Sequence, residues 1–135
     1  MTAGYAGTPL ARKLTLKDGQ RVWWEGMPDS VRAEIGKESL ALDLLSSPQA
    51  PIDAAHIFVV GRAALEEALE RLLPLLDRSG FIWVSWPKKA SKVPTDITED
   101  VIRAVALPQG LVDVKVCAVD ATWSGLKLVI RREQR

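Results

Sequence analysis

One cysteine, Cys117, and one histidine, His56, are all that these 135 residues offer of the side chains that build most metal and redox sites. A disulfide within the chain, a cysteine-built zinc site and any site needing several histidines are excluded. Long apolar runs are missing too. No stretch approaches the ~20 apolar residues of a membrane span, and Met1–Leu10 shows no apolar run behind a basic segment. A protein of a reducing, cytoplasmic compartment is the expectation. Charge of one sign is also lacking: 18 Lys and Arg against 17 Asp and Glu leave a net +1. No global field draws the chain to nucleic acid or to an acidic membrane, so any basic site is local. Internal repeats are absent, as are a P-loop, a nucleophile elbow and a glycine-rich turn. No metal and no conventionally bound cofactor is expected.

What is present is an ordinary globular composition, 47% hydrophobic and 26% charged, in a length suited to one α/β domain over residues 1–135. Thr8-Pro9-Leu10 reads as a helix opening, with a hydroxyl at the N-cap and proline in the first turn. Lys17-Asp18-Gly19-Gln20 is a turn, and Arg21-Val22-Trp23-Trp24 reads as the first strand, ending at Glu25-Gly26-Met27-Pro28. Alternation forbids Trp23 and Trp24 from facing the same way, so one is read as core and one as half-exposed. A short helix, Ser30 to Ile35, follows with Asp29 as its cap. Leu40 to Leu45 fits a strand or a helical turn, strand being preferred.

Ala55-His56-Ile57-Phe58-Val59-Val60 suits a parallel strand covered on both faces. Leu65, Leu69, Leu72, Leu73 and Leu76 then recur at helical spacing, with Pro74 shortening the last turn and Ser79-Gly80 closing it. Phe81 to Trp86 is the next strand. Asp96 and Glu99 form a D-x-x-E helix start, with Ile97, Val101 and Val105 on one side and Pro108 and Gly110 as the stop. In the last two strands, Val112, Val114, Val116 and Ala118 share one face, as do Leu126, Leu128 and Ile130. The short Asp120–Gly125 connection makes them an antiparallel hairpin. Strands alternating with helices predict a small three-layer Rossmann-like sheet, mostly parallel, closed by a C-terminal antiparallel hairpin: a truncated methyltransferase-like order.

Such folds hold a nucleotide at a glycine-rich turn after the first strand. Here that turn is Glu25-Gly26-Met27-Pro28-Asp29, with one glycine followed by a bulky and a rigid residue, and close approach of a ligand to the backbone is obstructed. The candidate site lies instead at Ser85-Trp86-Pro87-Lys88-Lys89-Ala90-Ser91-Lys92-Val93-Pro94-Thr95-Asp96, between the carboxyl end of a strand and a helix start. Lys88, Lys89 and Lys92, the hydroxyls of Ser91 and Thr95 and the helix N–H groups are read as holders of a phosphate or carboxylate, with Asp96 competing. Trp86, and Trp123 with Lys127 from the hairpin, would add aromatic walls and charge. The bland alternative is a solvated basic loop. His56 and Cys117 read as core, and Glu25 and Asp43 as carboxylates that approach one another if their strand ends meet.

At Phe81–Lys92 (FIWVSWPKKASK), Leu111–Asp120 and Trp123–Lys127 (WSGLK), and at the opening Gly4–Leu10, the chain resembles a bacterial domain-of-unknown-function family of similar length. The resemblance implies a small bacterial stand-alone protein and assigns no catalytic residue. More distantly, the order of elements resembles methyltransferases. The leading expectation is a domain that binds an anionic small molecule at the basic loop. The alternatives are a degenerate S-adenosylmethionine-dependent methyltransferase-like enzyme, with Asp43 reaching a ribose, and a protein- or nucleic-acid-interaction module.

Overall fold

In a computed structural model, residues 7–135 are described, and the Gly4–Gly7 part of the opening similarity lies almost wholly outside them. Six strands form one sheet in the order β2-β1-β3-β4-β6-β5, with β1 Arg21–Glu25, β2 Asp43–Leu44, β3 Ile52–Phe58, β4 Leu76–Pro87, β5 Leu111–Ala118 and β6 Trp123–Ile130. Neighbours from β2 to β4 are parallel, and β6 runs antiparallel to both β4 and β5. Helices α1 (Leu10–Lys13) and α2 (Asp29–Gly36) cover one face, and α3 (Arg62–Leu72) and α4 (Glu99–Ala106) the other.

Alternation along β4 creates the two layers. Ile82, Val84 and Trp86 enter the α3–α4 core with Leu65, Leu69, Ile102 and Leu128, while Phe81 and Trp83 enter the α1–α2 core with Leu14, Val31 and Ile35. The fully buried Trp83 donates its indole N–H to the carbonyl of Leu14 at 2.8 Å, tying α1 to the middle of the sheet. Ser85, on the same face, meets the buried His56 with Oγ and Nε2 2.7 Å apart. Phe58 stacks on the imidazole at 4.5 Å between ring centres. With no charge beside it, burial pushes His56 down to about 3.

Element boundaries move for local reasons. Helix α1 begins one residue late: Pro9 has ψ 143°, and its carbonyl accepts from Arg12 and Lys13. Pro28, not Asp29, flanks α2, and Asp29 sits in its first turn. Pro74 does shorten the third helix, which becomes a 3-10 turn over Leu73–Leu75. Ser79-Gly80 does not close that helix; both residues lie in β4, where the register with β3 shifts. A Cβ on Gly80 would lie 2.9 Å from the carbonyls of Ile52 and Asp53, so only glycine admits this approach. Helix α4 starts at Glu99, not at Asp96: Thr98, with φ −134°, accepts from Val101 N–H. The later start turns Ile102 inward and leaves Val101 half-buried. A shift between Asp113 and Lys115 breaks the alternation of β5, an edge strand, and leaves Val114 and Val116 more than half exposed. Both Trp23 and Trp24 are half-buried, on opposite faces, so neither is core.

The β2–β3 crossover is a short loop held by Arg21. Its guanidinium donates to the carbonyls of Pro51 and Gln49 and reaches Asp43, while its own N–H donates to Asp53. Among the described residues, no helix is long and apolar enough to cross a membrane.

Two outcomes follow from this core. Trp83→Phe removes the indole donor, leaves the Leu14 carbonyl with the Thr15 hydroxyl alone and opens space in the core, and it is expected to lower the unfolding free energy by about 1–3 kcal/mol in a urea titration. Because the folded-state value of His56 is depressed, its contribution is complete above its ordinary value of about 6.5 and drains as pH falls toward about 3. Below pH 6.5 the stability of the wild type should fall more steeply than that of His56→Gln, the extra slope growing from about 0.7 kcal/mol per pH unit at pH 6.5 toward about 1.4 near pH 5. Equal slopes would mean that the imidazole takes up its proton as readily in the folded protein as in the unfolded chain.

Candidate functional site

Loop 88–98 leaves the carboxyl end of β4 as an ordered turn. Lys88 N–H donates to the carbonyl of Thr122, Lys89–Ser91 form a 3-10 turn, and Lys92 is left-handed with φ 62°. The hydroxyls are committed to the fold. Ser91 Oγ donates to the Lys88 carbonyl at 2.6 Å and accepts from Val93 N–H. Thr95 Oγ1 donates to the Val60 carbonyl at 2.7 Å and accepts from Ile97 N–H. Asp96, read from sequence as the cap of the following helix, instead accepts the backbone N–H of Arg62 at 2.8 Å, the first residue of α3. Thr95 and Asp96 therefore fasten this loop to the β3–α3 turn. What remains is cationic: among the described residues, Lys88, Lys89 and Lys92 have no carboxylate partner.

Beside the loop runs a groove of about 490 Å³, floored by Trp86 and Ile97, with Lys89 and Thr95 on one side and Glu99, Asp100 and Arg103 on the other. Arg103 is spoken for: it donates to Glu99 at 2.9 Å, Asp100 at 3.2 Å and Asp113 at 3.1 Å. The amino end of α4 carries the Thr98 cap and two carboxylates, so the helix N–H groups are not open to an anion as the sequence suggested. The groove is thus cationic along its loop and anionic along its helix.

Trp86, Lys89 and Thr95 line this groove, with Lys88, Ser91 and Lys92 in the adjoining turn. Trp123 and Lys127 are not brought to it. Alternation sends them to the opposite face, where Trp123 meets Phe58 edge-on at 5.1 Å and Lys127 lies 4.4 Å above the Phe81 ring. Their expected place beside Trp86 fails because β6 pairs Trp123 with Pro87 and Ser124 with Trp86.

Open α/β sheets bind ligands where the strand order reverses, here between the carboxyl ends of β1 and β3. The chain fills that place itself. Gly26, with φ 72°, is packed so that a Cβ would stand 3.2 Å from the Phe58 carbonyl, and Met27 is buried. Glu25 is taken by Arg71 through two hydrogen bonds of 2.7 and 3.0 Å and by the Trp23 indole at 2.9 Å. The Arg71 bond is the main reason its carboxyl is held below the usual range. Asp43 stands at the other end of the strand, 3.5 Å from Arg21, and is far along the sheet from Glu25 rather than beside it. These residues do not fit a nucleotide cofactor bound at the first turn. The Glu25–Arg71 and Asp96–Arg62 pairings join positions 46 and 34 residues apart, and no local sequence signal announces either. His56 and Ser85 are hydrogen-bonded but sealed in the core, without access for a substrate.

No family model matches the chain, and no curated protein does. Solved structures do. Precorrin-6y C5,15-methyltransferase from Geobacter metallireducens GS-15 aligns with a TM-score of 0.57 at 15% identity, over 88% of this chain and 84% of that one. The ribosomal protein L11 methylase of Lactobacillus delbrueckii subsp. bulgaricus gives 0.56 at 10% identity, over 90% and 75%. Magnesium protoporphyrin IX methyltransferase from Synechocystis PCC 6803, solved with bound SAM, gives 0.56 at 12%, over 84% and 71%. Likeness at this level of identity shows the fold: the chain has a methyltransferase-like Rossmann fold, as its order of elements suggested.

Proposed function

We propose that the protein is a binding domain for a small anionic molecule, built on a methyltransferase-like sheet and using the loop of Lys88, Lys89 and Lys92 in place of the usual cofactor turn. The observation that carries this reading is the commitment of Ser91, Thr95 and Asp96 to the fold, which leaves three ammonium groups on a hydrogen-bonded turn with no internal counter-charge. A preorganised turn loses little freedom on binding, so the attraction of its lysines is not spent on ordering the loop. Trp86 and Ile97 supply an apolar floor in the adjoining groove, and the carboxylates of Glu99 and Asp100 favour a ligand with a cationic or hydrogen-bond-donating end on that side. The ligand class is therefore a small phosphate or carboxylate compound with a donor group at its far end.

A methyltransferase with a degenerate site is the competing reading, supported by the fold neighbours and opposed by the filled turn at Gly26 and by the placement of Asp43. Both are tested by thermal denaturation with inorganic phosphate, phosphorylated metabolites, dicarboxylates, S-adenosylmethionine and its demethylated product. A ligand at about 100 times its Kd adds about 2.7 kcal/mol, which raises Tm by several degrees. The expected result is a shift with a phosphate or carboxylate compound that disappears in Lys88→Ala/Lys89→Ala. That variant should otherwise match the wild type within ~0.5 kcal/mol. A shift with S-adenosylmethionine that survives the double substitution overturns the proposal.

A further inference from the structure

A second group of lysines, away from that loop, gathers on the face of β5 and β6 that α1 borders. Lys115 and Lys127 are register partners across the antiparallel pair. Lys127 stands over Phe81, and Lys115 turns to the same side, where its ammonium donates to the Lys13 carbonyl at 3.0 Å. Lys13 in turn donates to the carbonyl of Ala118 at 3.0 Å. Lys17 follows α1 and is near enough to act on Lys127: burial first, then the charges of Lys115 and Lys17, press the Lys127 ammonium below its ordinary range. Among the described residues none of these four lysines has a carboxylate at ion-pair distance.

Like charges directly opposite on neighbouring strands destabilise a sheet. The Phe81 ring beneath Lys127 and the Lys13 carbonyl that accepts from Lys115 hold the two side chains in place, but neither contact brings a counter-charge. Ammonium groups gathered on one face without a carboxylate break a local rule of charge placement, and such breaks collect at functional sites. The net charge of the whole chain is only +1, so this concentration is local. The surface is a strand pair; the ring beneath Lys127, Phe81, is buried, and Trp123 lies on the same face of β6, half-buried against Phe58. It offers positive charge spread along the strand pair and the end of α1.

We propose that this face binds the phosphate backbone of a nucleic acid through Lys13, Lys17, Lys115 and Lys127. Contacts of this kind position a strand without reading its sequence, and they weaken steeply with salt because each neutralised phosphate releases counterions. Two of the four ammonium groups are already aimed by backbone carbonyls, so the strand meets a partly formed site.

The test is fluorescence anisotropy of labelled single-stranded RNA, duplex DNA and a poly-glutamate peptide with the full chain, over a salt series. Wild type, Lys115→Gln/Lys127→Gln, Lys17→Gln and Lys88→Ala/Lys89→Ala are compared. Saturable binding at low salt is expected, weakened on the order of tenfold by the double glutamine change. Its log–log salt slope for single-stranded RNA should be shallower by about 1.4, two contacts at about 0.7 each. Tm of that variant should stay close to that of the wild type, the relief of repulsion offsetting the lost Phe81 and Lys13 carbonyl contacts, and Lys88→Ala/Lys89→Ala should bind as the wild type does. Lys17→Gln, on an exposed turn, repeats the test without touching the sheet. The proposal is overturned by an absence of binding at low salt, by a salt slope unchanged in the glutamine variants, or by preference for an acidic peptide over both nucleic acids.

Discussion

Eight consecutive buried residues, Gly80 to Pro87, make β4 the strand on which everything else is hung. Strand geometry sends alternate side chains to opposite faces, and here both faces are apolar, so helices must cover each. Trp83 extends that constraint beyond packing. Its indole N–H needs an acceptor once buried, and the Leu14 carbonyl at the end of α1 supplies it. The same alternation divides the candidate residues: Trp86 belongs to the α3–α4 side with the lysine loop, and Ser85 with His56 to the α1–α2 side with Trp123 and Lys127.

At the carboxyl edge of the sheet, three close contacts replace the open crevice of a nucleotide-binding fold. Gly26 closes on Phe58, Thr95 on Val60, and Asp96 on the amino end of α3. Each commits a polar group or a glycine of this edge to a contact within the chain. The consequence is a redistribution of charge. Glu25, Asp96 and Asp113 are paired with arginine or with a backbone N–H group, whereas among the described residues two sets of lysines stand without a carboxylate partner. A chain of nearly neutral net charge thus presents two separate cationic surfaces, one in a turn and one on a sheet face.

Much of the fold was legible in the sequence because its signals are periodic. The leucines of α3, the apolar run of β3 and the closing hairpin follow directly from the periods of helix and strand. Where local chemistry competes, the reading went astray. Asp96 looked like a helix cap because a carboxylate three residues before Glu99 mimics one, but Thr98 stood nearer and a distant N–H claimed the aspartate. Gly80 looked like a helix stop, although its purpose is close approach to β3. Trp123 and Lys127 were assigned to the wrong face of the sheet, since the register of a hairpin against its neighbour is a tertiary property. The lysine pair across β5 and β6 was invisible for the same reason: the shift at Asp113 sets which residues meet.

The most direct measurement of the account is a map of backbone amide chemical shifts during titration with a phosphate compound that stabilises the protein. The lysine-loop reading predicts that the amides of Lys88 to Val93 and those near Trp86 move, while Gly26 to Asp29 stay still. Shifts centred on Gly26, Met27 and the Val60–Arg62 turn would contradict it, and would mean that the crevice closed in this structure opens to admit a ligand.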